Sequence, residues 1–429
     1  MPELQDGIAY ARGKRPGAFF AIIFLQAAPE CPARRLGGFL ADLWAMYEGL
    51  KVGRVPDLHP EVVPHDGDAL QVLIGFGLNL WGVSERQGID GIAEPRPAGL
   101  AGNAFRSPAG RGGPLLARSG LHYADDVVAN PATEHICIQL TAQKKLAVDR
   151  AVVETWKLLL DNTDAETGLS PLSITSFYLG FQRSDRRSWI DFHDGLSNLK
   201  AEDRATVIAI KPSNQDEDWC LGGTYLAFIR IAVDLPAWRR LPRPTQELLV
   251  GRDKLSGCPL TAIVDERPQT NPRCPVDGAP IWDEVNDAQF AEPPSTVGGA
   301  VALSHVQRAN HHDRDLDHPG SGRIFRQGYE FLEWQEASPG FRLGLNFVSF
   351  QDDPSRVLHI LGTDGWLGNV NFGGDPAAQP PGMTALLKVY AAGIYFVPPK
   401  ADPFPGASAF GIGAAAAGDP LTTASGGGG

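Results

Sequence analysis

Gly223–Val250 reads GTYLAFIRIAVDLPAWRRLPRPTQELLV. Its first part, Gly223–Val233, is an apolar run of strand length, and Pro236–Val250 that follows carries proline at its start and reads as a helix. The same β-then-α order occurs earlier: Ala18–Leu25 reads as a strand, and Leu36, Phe39, Leu40, Leu43 and Met46 then recur at helical spacing. Leu70–Phe76 and Glu134–Leu140 read as two further strands, Ala147–Leu160 as an amphipathic helix and Ser173–Phe181 as a strand. After the quoted stretch come strands at Arg323–Trp334 and Arg342–Phe350, a short helix at Pro354–Leu361 and a strand at Leu387–Val397. The chain therefore holds two β-α-β-β-α-β sets, an α+β protein of two ferredoxin-like halves. The expected divisions are residues 1–205, residues 206–406, and a Gly/Ala-rich tail from Ala407 to Gly429 that buries too little surface to order itself.

The length of 429 residues suits two units sharing one site, and 43% apolar with 21% charged residues is the balance of a globular protein with a sizeable core. A net charge of −12 disfavours nucleic acid as a partner, because duplex binding rests on Lys/Arg contacts to phosphate. No apolar run approaches the length of a membrane span, and Met1–Arg15 lacks the pattern of a secretory leader, so a cytoplasmic location is expected. The five cysteines are scattered without a CxxC pair, and reduced thiols are expected. Glu94–Gly113 and Gly257–Ser304, rich in Pro, Gly and charge, exceed ordinary connections and are candidates for building a site.

Two segments carry the chemistry. Trp189–Leu199, WIDFHDGLSNL, presents Asp194 followed by Gly195, a dipeptide that also makes a plain turn. Ser304–Phe331 holds His305 and Asn310 and ends in RIFRQGYEF from Arg323. On a strand, the odd offset between Arg323 and Arg326 puts them on opposite faces, so one of the two points into a site. His311, His312, Asp313, Asp315, Asp317 and His318 have the side chains of a metal site, but a hydrophilic loop has the same composition and no fixed ligand spacing such as HExxH is present. GFGLN at Gly75 is too short for a dinucleotide fingerprint, and there is no P-loop.

Read together, these segments resemble the dye-decolourising peroxidases, marked by Gly-x-x-Asp-Gly and later by a His and an Arg-x-Gly-Tyr strand. LQDGI at Leu4, LQVLIGFG at Leu70, the quoted GTYLAFIRIAVDLPAW, GRDKLSGCPL at Gly251, HVQRAN at His305, LNFVSFQDDPSR at Leu345 and GIYFVPP at Gly393 are similar to the same family, in order over nearly the whole chain. The resemblance implies a dimeric α+β barrel-like arrangement of the two halves with haem b in the C-terminal half. It implies that His305 is the axial iron ligand and that Asp194, Gly195 and Arg326 line the peroxide side. Asp194 would act as the acid–base group, and Arg326 would stabilise charge as the O–O bond breaks. Hydrogen peroxide and phenolic, aromatic amine or dye reductants, reacting through an oxyferryl intermediate, are the implied substrates. A carboxylate base ionises below the imidazole that does this task elsewhere, about 3.9 against about 6.5 for the free side chains.

Several expectations remain to be placed. The marker's first glycine aligns with Asp191, which puts a second carboxylate near the peroxide side. Asp352 or Asp353 is a candidate partner for the His305 imidazole, with solvated turn residues as the alternative. His193 is a second base or a structural residue, and Arg323 is the outward-facing arginine. Tyr329, Trp334 and Trp366 are either core aromatics or a relay carrying electrons from bulky substrates. Two other readings stand beside the peroxidase: a haem-handling protein with incidental turnover, against which the retained Asp194 and Arg326 argue, and an enzyme of the related chlorite dismutase fold.

Overall fold

The computed structural model describes residues 3–10, 16–29, 31–58, 69–82, 91–100, 105, 112–116, 120–127, 130–196, 198–214, 216–264, 267–270, 299–309, 322–335, 340–362 and 386–413. The first half runs β1 (Phe19–Ala27), α1 (Ala33–Lys51), β2 (Gln71–Gly77), β3 (Ile136–Ala142), α2 (Lys145–Asp161) and β4 (Leu172–Phe181). After α3 (Ala201–Ile208) the second half runs β5 (Thr224–Val233), α4 (Leu235–Arg239) and α5 (Arg243–Val250). A hairpin of β6 (Leu260–Val264) and β7 (Arg267–Thr270) follows, then α6 (Gly299–Ala302) and α7 (His305–Ala309). The half closes with β8 (Phe325–Gln335), β9 (Gly340–Gln351), α8 (Ser355–Leu361) and β10 (Leu387–Val397).

Eight strands form one closed barrel in the order β1-β3-β2-β10-β5-β9-β8-β4, with β4 pairing back onto β1. Each half contributes four neighbouring strands in the ferredoxin-like order, its first strand between its third and fourth. The halves join antiparallel at β2/β10 and β4/β8, so neither sheet is left with a free edge.

Strand alternation divides the apolar residues into two cores. Phe20, Ile22, Phe24, Phe228, Tyr329 and Tyr395 fill the barrel. On the outside, Ala21, Ile23 and Leu25 of β1 belong to the same core as the apolar stripe of α1, where Leu36, Leu40, Leu43 and Tyr47 are buried. Each such side chain contributes about 1.5–3 kcal/mol by leaving water. The Tyr47 hydroxyl lies 2.5 Å from Thr155 Oγ1, tying α1 to α2.

Three expectations are corrected here. The single helix read at Pro236–Val250 is two helices, α4 and α5, parted before Pro242. Proline supplies no N–H to the preceding turn and pushes the residue before it out of the helical region. The tail does not begin at Ala407: Ala407, Ala409 and Phe410 are buried, and the Phe410 ring packs edge-on against Phe76 at 5.5 Å between centroids. Gly37 on α1 leaves room for it, since a Cβ there would lie 2.5 Å from Phe410 Cβ. Finally, Cys31, Cys137 and Cys220 are free and buried, but Cys258 is disulfide-bonded, so the reduced-thiol expectation fails there. Cys274 lies outside the described residues. Among the described residues, no helix is long and apolar enough to cross a membrane.

Candidate active site

Because Phe325, Gln327 and Tyr329 of β8 turn into the barrel, Arg326, Gly328 and Glu330 stand on the outer face. Gln327 is fixed inward by donating to the Gly7 carbonyl at 2.7 Å. That outer face, with β5 and β9, forms one wall of a cleft of about 310 Å³ closed by α7, α8 and the loop at residues 188–196. Ile229, Ile231, Val233, Leu345, Phe347 and Leu361 make most of its lining apolar.

The loop holds Asp194 in a tight turn. Asp191 takes a left-handed conformation at φ 67 and Gly195 another at φ 76. Aspartate is one of the few side chains that tolerates this region, so the turn survives without the marker's glycine. The Asp191 carboxylate, however, is exposed and lies 3.7 Å from Lys254 Nζ, off the cleft lining, and the second carboxylate expected from this position does not face the site. Asp194 N–H donates to the Arg186 carbonyl at 3.0 Å, and its Oδ1 accepts from Gly195 N–H at 2.8 Å. Its other oxygen sits over β8: a Cβ on Gly328 would lie 2.7 Å from Asp194 Oδ2. Glycine at 328 is thus what lets the carboxylate approach the strand.

Asn198 clamps the backbone of residue 326 in both directions, accepting from Arg326 N–H at 3.0 Å and donating to the Arg326 carbonyl at 2.7 Å. The guanidinium then donates through Nη2 to the Leu196 carbonyl at 2.7 Å, which holds Arg326 alongside the Asp194 turn. Arg323 is corrected: it precedes β8, so strand alternation does not govern it, and it lines the cleft together with Arg326.

His305, the first residue of α7, lines the same cleft. It is delivered by the end of α5, where Gly251 is left-handed at φ 89 and would place a Cβ 2.3 Å from Ser304 Oγ. Burial first, then the charges of Arg326 and Arg252, push the His305 imidazole down to about 3, so the ring is neutral. Arg252 is buried and donates to the Gly257 carbonyl at 2.7 Å.

The expected carboxylate partners of His305 are engaged elsewhere. Asp352 is buried against Arg356, Oδ1 to Nε at 2.6 Å, and Asp353 Oδ1 accepts from Ser355 N–H at 2.7 Å at the start of α8. His193 lines the cleft, but its Nε2 lies 2.8 Å from Arg187 Nη2 and 3.1 Å from the Leu255 carbonyl, so that nitrogen is engaged within the loops. Burial and the Arg187 charge hold its imidazole below the usual range, and the structural reading fits better than a second base. Asn310, the cluster from His311 to His318, and Trp366 lie outside the described residues, among which no group of three potential metal ligands is found.

Residues 185–402, just over half of the chain, match the family model for the C-terminal part of Dyp-type peroxidases. The chain belongs to this family. Among curated proteins it is similar to a deferrochelatase of Escherichia coli, 27% identical over 168 residues, which cover 38% of this chain and 34%, about a third, of that relative's length. Among solved structures it is similar to a Dyp-type peroxidase from Cellulomonas bogoriensis, at 20% identity and TM-score 0.61, covering 95% of this chain and 97% of the other. It is also similar to ferric DtpA from Streptomyces lividans, at 18% identity and TM-score 0.64, covering 95% and 96%. A DypB variant from Rhodococcus jostii RHA1 in complex with heme aligns at 20% identity and TM-score 0.57, covering 92% and 96%.

In this member of the Dyp-type peroxidase family, the sequence motifs did not single out Asn198, Arg252 or Glu330. Asn198 lay inside WIDFHDGLSNL and Arg252 inside GRDKLSG, but neither spacing tells which backbone carbonyl a side chain will meet. Glu330 had a visible signal, since it shares the parity of Arg326 on the same strand.

Proposed function

We propose that the chain is a haem b peroxidase that reduces hydrogen peroxide and oxidises phenols, aromatic amines or dyes, and that His305 is the residue that would hold the haem iron. The observation that carries this reading is that a neutral, cleft-lining His305 shares one apolar cavity with the Asp194 turn and Arg326. The residues suit haem: an imidazole that ligates must be unprotonated at the binding nitrogen, and the walls are aliphatic and aromatic as a planar macrocycle requires. In this reading the two units, residues 1–205 and 206–406, share the site, the first supplying Asp194 and the second His305 and Arg326.

Haem, when bound, supplies the electron chemistry that divides the O–O bond and draws single electrons from the reductant. The chain's own residues manage protons and charge. Asp194, open to the cleft and oriented by Gly195 N–H, takes a proton from one peroxide oxygen, and the other oxygen leaves as water on gaining one. Arg326, fixed by Asn198 and Leu196, presents a permanent positive charge to the oxygen on which negative charge develops. The balance is one hydrogen peroxide and two phenols giving two waters and two phenoxyl radicals. With a net charge of −12, the surface favours neutral or cationic dyes over anionic ones.

The relatives named deferrochelatase favour a second reading, a haem-handling protein in which turnover is incidental. The visible spectrum of the haem-reconstituted protein, recorded with and without peroxide, tests both. A Soret band that shifts with peroxide and returns on adding a phenol is the expected result. A band that peroxide leaves unchanged supports haem handling, and absence of any Soret band overturns both readings.

A further inference from the structure

Glu330 is a carboxyl that the site described above does not use. It is 4% exposed, lines the cleft, and its Oε1 has no hydrogen-bond partner among the described residues. Burying an ionised carboxylate without full pairing is costly, so such a group is retained as the neutral acid or serves a purpose. Its place on β8 is fixed by pairing with Leu345 of β9 on one side and Phe181 of β4 on the other. Strand parity sets it on the face of Arg326 and Gly328, and Asp194 Oδ2 lies over Gly328, the nearest same-face position. The two carboxyls are therefore neighbours across one strand repeat, about 6–7 Å along β8.

We propose that Glu330 is the acid partner of Asp194, giving its proton to the departing oxygen of hydrogen peroxide while Asp194 takes one from the other oxygen. The inference rests on the peroxidase reading. In this step the O–O bond breaks with both its electrons going to the leaving oxygen, which gains one O–H bond to become water, while the oxygen that stays loses its O–H bond and the two electrons it then lacks are those that bound haem would supply. Glu330 ends as carboxylate and Asp194 as acid, and transfer of the proton from Asp194 to Glu330 restores both. Carboxyls whose surroundings differ divide acid and base roles in this way. Asp194 is exposed to the cleft and accepts from Gly195 N–H, whereas Glu330 is enclosed.

The charged groups around Glu330 favour its neutral form. Burial, and after it the Asp194 charge, push it up to about 9, against the Trp189 backbone N–H, which donates to it. Arg183 and Asp185 face it from the loop after β4, but they pair with each other at 2.6 Å and their charges offset. Phe181 and Leu345, its partners on β4 and β9, carry no charge, and Arg326 stands two same-face positions away on β8.

The test is infrared spectroscopy of the haem-loaded wild type and Glu330→Gln, followed by stopped-flow mixing with peroxide. At neutral pH the wild type should show the carbonyl stretch of a protonated carboxylic acid, shifted in D₂O and lost as pH passes about 9; Glu330→Gln should lack it while keeping the Soret band. The peroxide-driven change in the Soret band should slow by about 10²-fold in the variant, the lower range for a general acid. In the wild type this rate should fall on the alkaline side, a limb missing from the variant. Identical infrared spectra, a band that titrates near 4.5, or a variant with the wild-type rate and alkaline limb would overturn the proposal and leave the peroxidase reading standing. If the variant does not fold, titration of the band in the wild type alone decides between the two values. A wild type without a Soret band overturns both.

Discussion

The two halves of the barrel share a strand order but treat the outer face of their sheets differently. Over the first half lie α1 and α2, of 19 and 17 residues, whose apolar stripes cover β1, β2 and β3 and leave a solid core. Over the second half the corresponding crossovers are short: α4, α5 and α8 have 5, 8 and 7 residues. Helices of that length do not cover strands of 10 to 12 residues, and the uncovered face of β5, β8 and β9 is the cleft. One fold thus yields a core where the helices are long and a site where they are short. The polar residues follow the same division, since β8, the second barrel strand of its half, carries Arg326 and Glu330 toward the cleft, whereas β2, the second strand of the first half, gives Val72, Ile74 and Phe76 to the outer core.

The strongest way to break this comparison is to remove the group that makes the second face a cofactor site. His305→Ala is expected to abolish the wild-type Soret band on haem titration while leaving thermal unfolding of the apoprotein nearly unchanged, because His305 lines a cavity and is not a core residue. A variant with wild-type haem affinity and spectrum shows that another residue holds the iron.

Next in size are changes on the opposite wall. Asp194→Asn and Arg326→Leu are each expected to bind haem and to slow the peroxide-driven spectral change by about 10²- to 10³-fold in stopped-flow mixing. Because Arg323 also lines the cleft, Arg323→Leu is the control, and a defect there equal to that of Arg326→Leu would show that the two guanidiniums share the task. Gly328→Ala carries a smaller and more specific expectation. Its methyl would meet Asp194 Oδ2 at 2.7 Å and displace the carboxylate, slowing the same step by about tenfold, less than the ~10²-fold that outright loss of an acid–base group costs. In an Asp194→Asn background the same substitution should cost much less; additive losses would mean that the methyl acts elsewhere.

In the first half the corresponding experiment should leave the site untouched. Leu40→Ala removes a side chain 1% exposed under α1, and a loss of about 2–5 kcal/mol, read as a lower Tm, is expected with unchanged haem affinity per folded molecule. A parallel loss of haem affinity would show that the covered face and the open face are coupled.

Much of this division was legible in the sequence, and the exceptions have physical causes. Every barrel strand was visible, β1, β2, β5 and β10 as nearly continuous apolar runs and β3, β4, β8 and β9 as strand-length segments in which apolar and polar residues interleave. Helix coverage was harder to see: Pro236–Val250 has one apolar period throughout, and only Pro242 marks the break that leaves the sheet exposed. At the site, Asp194, His305 and Arg326 were found through flanking motifs, and the cleft brings all three together. Arg323 was misplaced because parity was counted from a strand that begins only at Phe325. Asp191 was misread as a distal carboxylate because the sequence shows its charge but not its φ, which turns the side chain toward Lys254. Glu330, which does lie in the cleft, was within reach of the same parity argument that selected Arg326.

The smallest expected effect lies where the second-half sheet runs out from under its cover. Along β8 the face that carries Arg326 in the cleft continues through Leu332 to Trp334, and these last two are 47% and 60% exposed. Trp334 stands about 26 Å along the strand from Arg326 and packs edge-on against Phe341 at 5.5 Å, so an oxidisable ring is held on the surface of an element that reaches the site. Tyr329 does not share this position: it is fully buried inside the barrel, stacked on Phe20 at 4.4 Å, and the core reading applies to it. Glu333, beside Trp334, is paired with Arg230, so its charge is offset and it leaves the ring's surroundings near neutral. Trp334→Phe keeps the edge-on packing while making the ring harder to oxidise. Turnover of bulky dyes is expected to fall several-fold, with small phenols and the peroxide-driven spectral change unaffected, since both depend on the cleft and not on the exposed end of β8. Equal losses for dyes and phenols would place the effect in folding or in the cleft, and no loss for either would remove Trp334 from the electron path.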